Sequence, residues 1–442
     1  MELHERLTTS RAQAPQGTRE PFAELKTQVH LAVIGDLGPQ LFNVTMDPGA
    51  LRERVVVDIR RHLSAETTLS RDDRERLSKE IADDILGYGP LERLLSDDSI
   101  TEIMVNGPDE IYIERRGQLT LTEARFPDES SLMAAIRNIL QYVGKRVTTE
   151  VPMVDARLPD GSRVHVAMPP CSRKGILLTI RKFSRQAFDM DFLVKTGCLS
   201  ELARDFLKLC IVTEKNLLIS GGTSSGKTSL LNVLSADIQP DRRIVVIEES
   251  SELQLRQPHV LSLETRGVDR YGKGEVTIRE LFKHSLRMRP DRVIVGECRG
   301  GEALDMIQAM TSGHAGSMTT LHADSPADAL HRLETMALMS NVVIPLSALR
   351  AQVASAIHVI VQVMRFSDGS RRVVQISQVL PLDTHGRYQT EDLFVLRMPE
   401  GERELSKSRL EYTGVKVEFR HEVSVQSALR NLPSLEPMVA DK

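Results

Sequence analysis

Apolar residues recur four apart at Leu51, Val55 and Ile59, which places them on one face of a helix. Ser70 then precedes an acid-led run, RDDRERLSKEIADDIL, as a helix N-cap does. Helical spacing runs from Pro21 to about Leu95 and predicts a small helical domain over 21–96, with a helical arm lacking its own core as the alternative. Residues 1–20 are polar and read as a flexible tail. Near Ile100 the period changes. The stretch TEIMVNGPDEIYIERRGQLTL alternates between turns at Asn106-Gly107 and Arg116-Gly117, as paired strands do. SSLMAAIRNILQYVG reads as a helix ending at Gly144, and RVHVAMPP and ILLTIRKF as further strands. Together they predict an α+β domain over 97–183, followed by a linker over 184–198.

From Leu199 the pattern becomes strand, loop, helix. NLLIS, RIVVIE, RVIVGE, SMTTLH and HVIVQV are buried-strand candidates, mostly with helical stretches between them. This predicts an α/β wound sheet over 199–400, with hairpins and a tail over 401–442.

Composition narrows the function. The chain has 442 residues, too long for one ordinary domain, with 41% hydrophobic and 27% charged residues. A net charge of −4, 4% aromatics and no Trp argue against a nucleic-acid surface. Cys171, Cys198, Cys210 and Cys298 form no C-x-x-C pair, so neither a zinc module nor a disulfide framework is expected. The charged start MELHERLTTS lacks a signal-peptide core, and no run of 18 apolar residues occurs. A cytoplasmic protein with reduced thiols is the expectation.

Gly221-Gly222-Thr223-Ser224-Ser225-Gly226-Lys227-Thr228 matches G-x-x-x-x-G-K-[ST] between the strand NLLIS and the helix KTSLLNVL. Glycines let successive backbone N–H groups face an anion, and the following helix presents its positive end. Lys227 is expected to reach the β- and γ-phosphates and Thr228 to ligate Mg2+. Hydrolysis also needs carboxylates at strand ends, and Glu248 and Glu297 close RIVVIE and RVIVGE. His314 and His322 lie eight apart, where imidazoles sense a phosphate or serve only structure. Arg157, Arg163 and Arg181 are candidates to contact phosphates, and spacing does not choose among them.

Several of these blocks, in this order, resemble the CpaF/TadA family of secretion-superfamily ATPases, motors of Tad (Flp) type IV pili. They are EIMVNGPDEIYIERRGQL, DARLPDGSRVHVAMPP, LLTIRKF, GGTSSGKTSLLN, RIVVIEESSELQL and LRMRPDRVIVGECRGGEALDMIQAMTSGHAGSMTTLHADSPADALHRLE. The resemblance implies a RecA-like P-loop domain behind a PAS-like α+β domain, assembled as a homohexamer. It further implies ATP with Mg2+, an inner-membrane pilus platform and other Tad/Flp components as partners, and a place on the cytoplasmic face of that membrane, without direct contact to nucleic acid. By the same resemblance Glu248 is the catalytic glutamate, Glu297 a Walker B metal-site glutamate and His314 and His322 the His box. Arg181 aligns with an arginine that approaches the phosphates, and Arg157 and Arg163 are carried over less closely. The chain departs at Glu249, Ala315 and Ser224, where the family usually has Asp, Asp and Gly. A type IV secretion ATPase exporting DNA or effectors, a nucleic-acid motor and a nucleotide-gated assembly factor are the competing readings.

Overall fold

A computed structural model describes residues 48–442 except 67–68, 116, 184–187, 269–271, 400–404, 431–434 and 440–442, together with scattered positions between 22 and 36. The expected tail over 1–20 lies outside the described residues. The chain divides into two compact units, Met1–Ser184 and Arg185–Lys442.

In the first unit the helices Pro48–Ser64 and Arg71–Leu86 pack on each other. Val55, Ile59, Leu63, Leu77 and Ile81 are buried between them with Val29 and Val33, so the helical segment does have a core. Ser70 caps the second helix by accepting from the Asp73 amide. Leu91, on the short helix Leu91–Ser96, belongs instead to the core of the following sheet.

That sheet has six antiparallel strands: β1 (Ile100–Asn106), β2 (Ile111–Arg115), β3 (Gln118–Leu121), β4 (Met153–Arg157), β5 (Arg163–Ala167) and β6 (Leu177–Arg181). Their spatial order is β3-β2-β1-β6-β5-β4. The helix Glu129–Tyr142 buries Leu132, Ala135, Ile136, Ile139 and Leu140.

The second unit carries a nine-stranded sheet. The five strands expected from the sequence are β7 (Leu217–Gly221), β8 (Ile244–Glu248), β10 (Arg292–Val295), β11 (Met318–Leu321) and β12 (Val359–Arg365). With β9 (Val260–Glu264) they form a parallel array, ordered β12-β7-β11-β10-β8-β9. The strands β7, β8, β10 and β11 are buried at every position, as strands covered on both faces are. Beyond β12 the sheet turns antiparallel through β13 (Arg371–Leu380), β14 (Gln389–Arg397) and β15 (Arg409–Tyr412).

Two stretches differ from expectation. The helix Met190–Lys195 stands inside the segment read as linker, its N-cap Asp189 accepting from the Phe192 amide. The hairpins expected over 401–442 are one strand, β15, followed by the helices Arg420–Arg430 and Glu436–Val439. Val417, Val423, Leu435 and Met438 are buried in the same core as the helix Glu201–Val212, which gives this segment a helical rather than an alternating pattern.

Near the start of β7, His358 accepts from the Asn216 amide at Nδ1, 3.1 Å away. Burial, with the Lys215 charge adding to it, lowers its pKa from 6.5 to about 4. The unfolded imidazole thus takes a proton about two units higher in pH than the folded one, and stability is lost as pH falls through that window. The loss approaches roughly 3 kcal/mol when complete. Melting temperatures at pH 7 and pH 5 are expected to differ less in His358→Gln than in the wild-type protein.

Candidate nucleotide site

Open α/β sheets gather ligand groups at the carboxyl ends of their parallel strands. The loop 221–226 leaves β7 at that end and enters the helix Lys227–Ser235. Gly226 caps the helix with φ 96, a left-handed conformation that suits glycine. Gly221 packs so closely on β12 that a Cβ would sit 2.2 Å from the Val363 carbonyl oxygen. Underneath, the Ser220 hydroxyl donates to buried Gln362, whose amide donates to the Ala323 carbonyl at 3.0 Å. The loop is therefore braced from both neighbouring strands, β12 and β11.

Lys227 is buried, and its Nζ donates to the carbonyls of Gly221 (3.1 Å) and Gly222 (2.9 Å). His322, just past the end of β11, stands with Nδ1 3.3 Å from the same Nζ. An ammonium can only donate, so Nδ1 is the acceptor and the ring proton sits on Nε2. Burial, then the Lys227 charge, lowers the His322 pKa against the opposing pull of Glu297. Both effects favour the neutral imidazole.

His322 Nε2 lies 3.0 Å from Glu297 Oε1. The contact is close but not aligned as a hydrogen bond, so this buried oxygen has no hydrogen-bond donor among the described residues. Arg299 holds the other oxygen of Glu297 at 2.7 Å and pairs with Glu249, which raises the Arg299 pKa. Glu249 thus acts as a counter-charge at the rim.

Glu248, at the end of β8, is 4% exposed, and its Oε1 accepts from the amides of Glu252 (2.8 Å) and Leu253 (3.0 Å). A Cβ on Gly296 would lie 3.0 Å from Glu248 Cγ. The Gly296-Glu297 pair is explained by this contact: glycine makes room for Glu248, and the carboxylate moves one residue on.

The cluster thus unites the loop, Lys227, Glu297 and His322, with Thr228 half-buried on the first turn of the helix and Glu248 at the end of β8, the strand beside β10. The donors fit a nucleotide with its metal: a lysine and helix end for phosphate, and a buried carboxylate oxygen without a donor for a divalent cation.

His314 does not join this cluster within the chain. It precedes β11 while His322 follows it, and a four-residue strand separates the two by about 13 Å. The shared spacing of eight therefore puts the two imidazoles at opposite ends of the sheet.

In the N-terminal unit, Arg157 is paired with Arg163, and Arg163 with Arg181, across β4, β5 and β6. Direct partners share a face, so the three candidate arginines form one row, continued by Glu102 opposite Arg181 on β1. Arg181 Nε is 3.7 Å from Glu102 Oε1. Sequence spacing hid this row because the strands are joined by loops of unequal length.

Two residues of the site carry no signal in the sequence. Gln362 braces β7 from β12, and Arg371, at the start of β13, donates from Nε to the Ser224 carbonyl at 3.0 Å. No local motif marks either.

A phosphate loop on a parallel sheet, with a strand-end glutamate and histidine beside its lysine, defines a P-loop nucleotide hydrolase. Residues 84–392 match the family described as type II/IV secretion system protein, and the chain belongs to that family. It is an ATPase, as members of the family are. It is 33% identical over 300 residues to a putative conjugal transfer protein of Mycobacterium tuberculosis, covering 66% of this chain and 85% of that one. It is 36% identical over 307 residues to the type IV secretion system protein PtlH of Bordetella pertussis, covering 63% and 90%. Among solved structures, the VirB11 ATPase of the Brucella suis type IV secretion system is 28% identical, with a TM-score of 0.37 over 65% of this chain and 92% of that one. The pilus retraction motor PilT with bound ADP is 16% identical, with a TM-score of 0.46 over 79% and 89%.

Proposed function

We propose that this ATPase is the CpaF/TadA-type motor of a Tad/Flp pilus, a homohexamer that converts ATP hydrolysis into movement of pilin through an inner-membrane platform. The observation that carries the site is the contact chain Lys227–His322–Glu297 at the carboxyl edge of the sheet. Lys227 exchanges the carbonyls of its own loop for the β- and γ-phosphates, and Thr223, Ser224, Ser225 and the three glycines of the loop supply backbone N–H groups. Thr228 and Glu297 would hold Mg2+, which would supply positive charge to the phosphates. Glu248 takes the proton of the attacking water. Neutral His322 keeps Lys227 and Glu297 in register and reports their separation. The arginine row 157–163–181 is a further contact for nucleotide phosphates, a reading supported by the three arginines sharing one face of the sheet.

The long motif blocks support the Tad assignment over its relatives. The second reading, a type IV secretion ATPase exporting DNA or effectors, is favoured by relatives named for conjugal transfer and type IV secretion. No helix among the described residues is long and apolar enough to cross a membrane.

Purified protein is expected to release phosphate from Mg-ATP as a particle of about six subunits by light scattering, without stimulation by single-stranded DNA. A monomer that binds ATP without turnover sinks the motor reading. Deleting the protein from its cell separates the two secretion readings: loss of surface pili with conjugation intact supports the first, and the reverse supports the second.

A further inference from the structure

Folding successive N–H groups toward one point turns the carbonyls of the same loop outward, where they need donors of their own. Three side chains supply them here. Ser225 Oγ donates to the Gly222 carbonyl at 2.9 Å, Lys227 to those of Gly221 and Gly222, and Arg371 Nε to that of Ser224 at 3.0 Å. Ser224 is the one non-glycine loop residue with positive φ, at 56. Lys227 is the donor that a bound phosphate draws away. Arg371 reaches the loop from outside, its Cδ lying 3.3 Å from where a Cβ on Gly226 would be.

The next residue faces the other way. Arg372 is 7% exposed and donates from a terminal nitrogen to the Gly197 carbonyl at 3.0 Å, while the Val373 amide donates to the Cys198 carbonyl at 3.3 Å. Gly197 and Cys198 end the segment that begins with the helix Met190–Lys195. Three consecutive residues of β13 thus hold the phosphate loop on one side and the entry to the second unit on the other.

We infer that Arg371 is a positioning residue for the nucleotide, and that with Arg372 and Val373 it links the state of the phosphate loop to the segment 189–198. Arg371 fixes the Ser224 peptide so that the neighbouring amides stay aimed at phosphate once Lys227 leaves its carbonyls. Any shift of that peptide on nucleotide binding moves the first residue of β13 and, through the strand backbone, the bonds to Gly197 and Cys198. The inference rests on the loop being the nucleotide site.

The test compares wild type, Lys227→Ala, Arg371→Met and Arg371→Lys. Methionine keeps the stem over Gly226 and removes the donor; lysine restores a donor. For Arg371→Met, KM for Mg-ATP is expected to rise about tenfold with kcat within about twofold, the size of one charged hydrogen bond. Arg371→Lys recovers most of it. Hydrogen exchange at the Val373 amide and across 189–199 slows on adding Mg-ADP to wild type, and does not slow in Arg371→Met at saturating nucleotide. Wild-type KM and wild-type protection in Arg371→Met overturn the inference. Should Arg371→Met unfold, wild-type KM restored by lysine upholds the donor role and a lysine variant tenfold weaker overturns it. If wild type and Lys227→Ala bind Mg-ADP alike, the nucleotide-site reading itself has failed, a result distinct from failure at Arg371.

Discussion

Lys227→Ala is expected to lower phosphate release from Mg-ATP by a hundredfold or more, the cost of deleting one preorganised charge-stabilising donor. The reason is local. Lys227 Nζ is the only ammonium that the loop carries, it is buried, and it is already poised between two loop carbonyls and His322. Alanine also leaves His322 Nδ1 without that donor, so the imidazole is released from its fixed tautomer beside Glu297. Turnover and melting temperature measured together separate lost chemistry from lost structure. A folded Lys227→Ala protein with activity within tenfold of wild type would refute the site.

Glu297→Gln is expected to separate binding from turnover. Glutamine keeps the shape of the side chain and its contact with Arg299 through the amide oxygen, but removes the charge. Arg299 keeps Glu249 as its partner, so the rim stays neutralised. His322 loses the one group that pulls its pKa upward, and remains neutral. Nucleotide affinity should fall only a few-fold, while kcat falls roughly a hundredfold, as a difference made mainly in the transition state. Equilibrium binding of a fluorescent ADP analogue and single-turnover phosphate release measure the two quantities. A loss of affinity with kcat unchanged would assign Glu297 to binding alone.

The site was legible where its residues are consecutive. Residues 221–228 carry their loop, helix and charge in one window, and β7, β8 and β10 are marked by short runs of Leu, Ile and Val. What sequence hid is set by strand order. Gln362 and Arg371 reach the loop because β12 lies beside β7, although Ser220 and Gln362 are 142 positions apart. His314 and His322 are close in sequence, yet the short strand β11 between them sets them at its opposite ends. β9 escaped notice because Val260–Glu264 is only partly covered and reads as a polar alternation. The C-terminal helices are hidden by a polar surface: between Arg420 and Val425 only Val423 is buried.

The position of β7 has a consequence for how the protein is made. Its two neighbours come from residues 318–321 and 359–365, so the strand that ends in the phosphate loop is unpaired until most of the chain has left the ribosome. At typical translation rates the 142 residues from Ser220 to Gln362 take on the order of ten seconds. Nascent chains ending before β12 should therefore fail to hold nucleotide, and the growing polypeptide stays catalytically silent until the centre of its sheet closes.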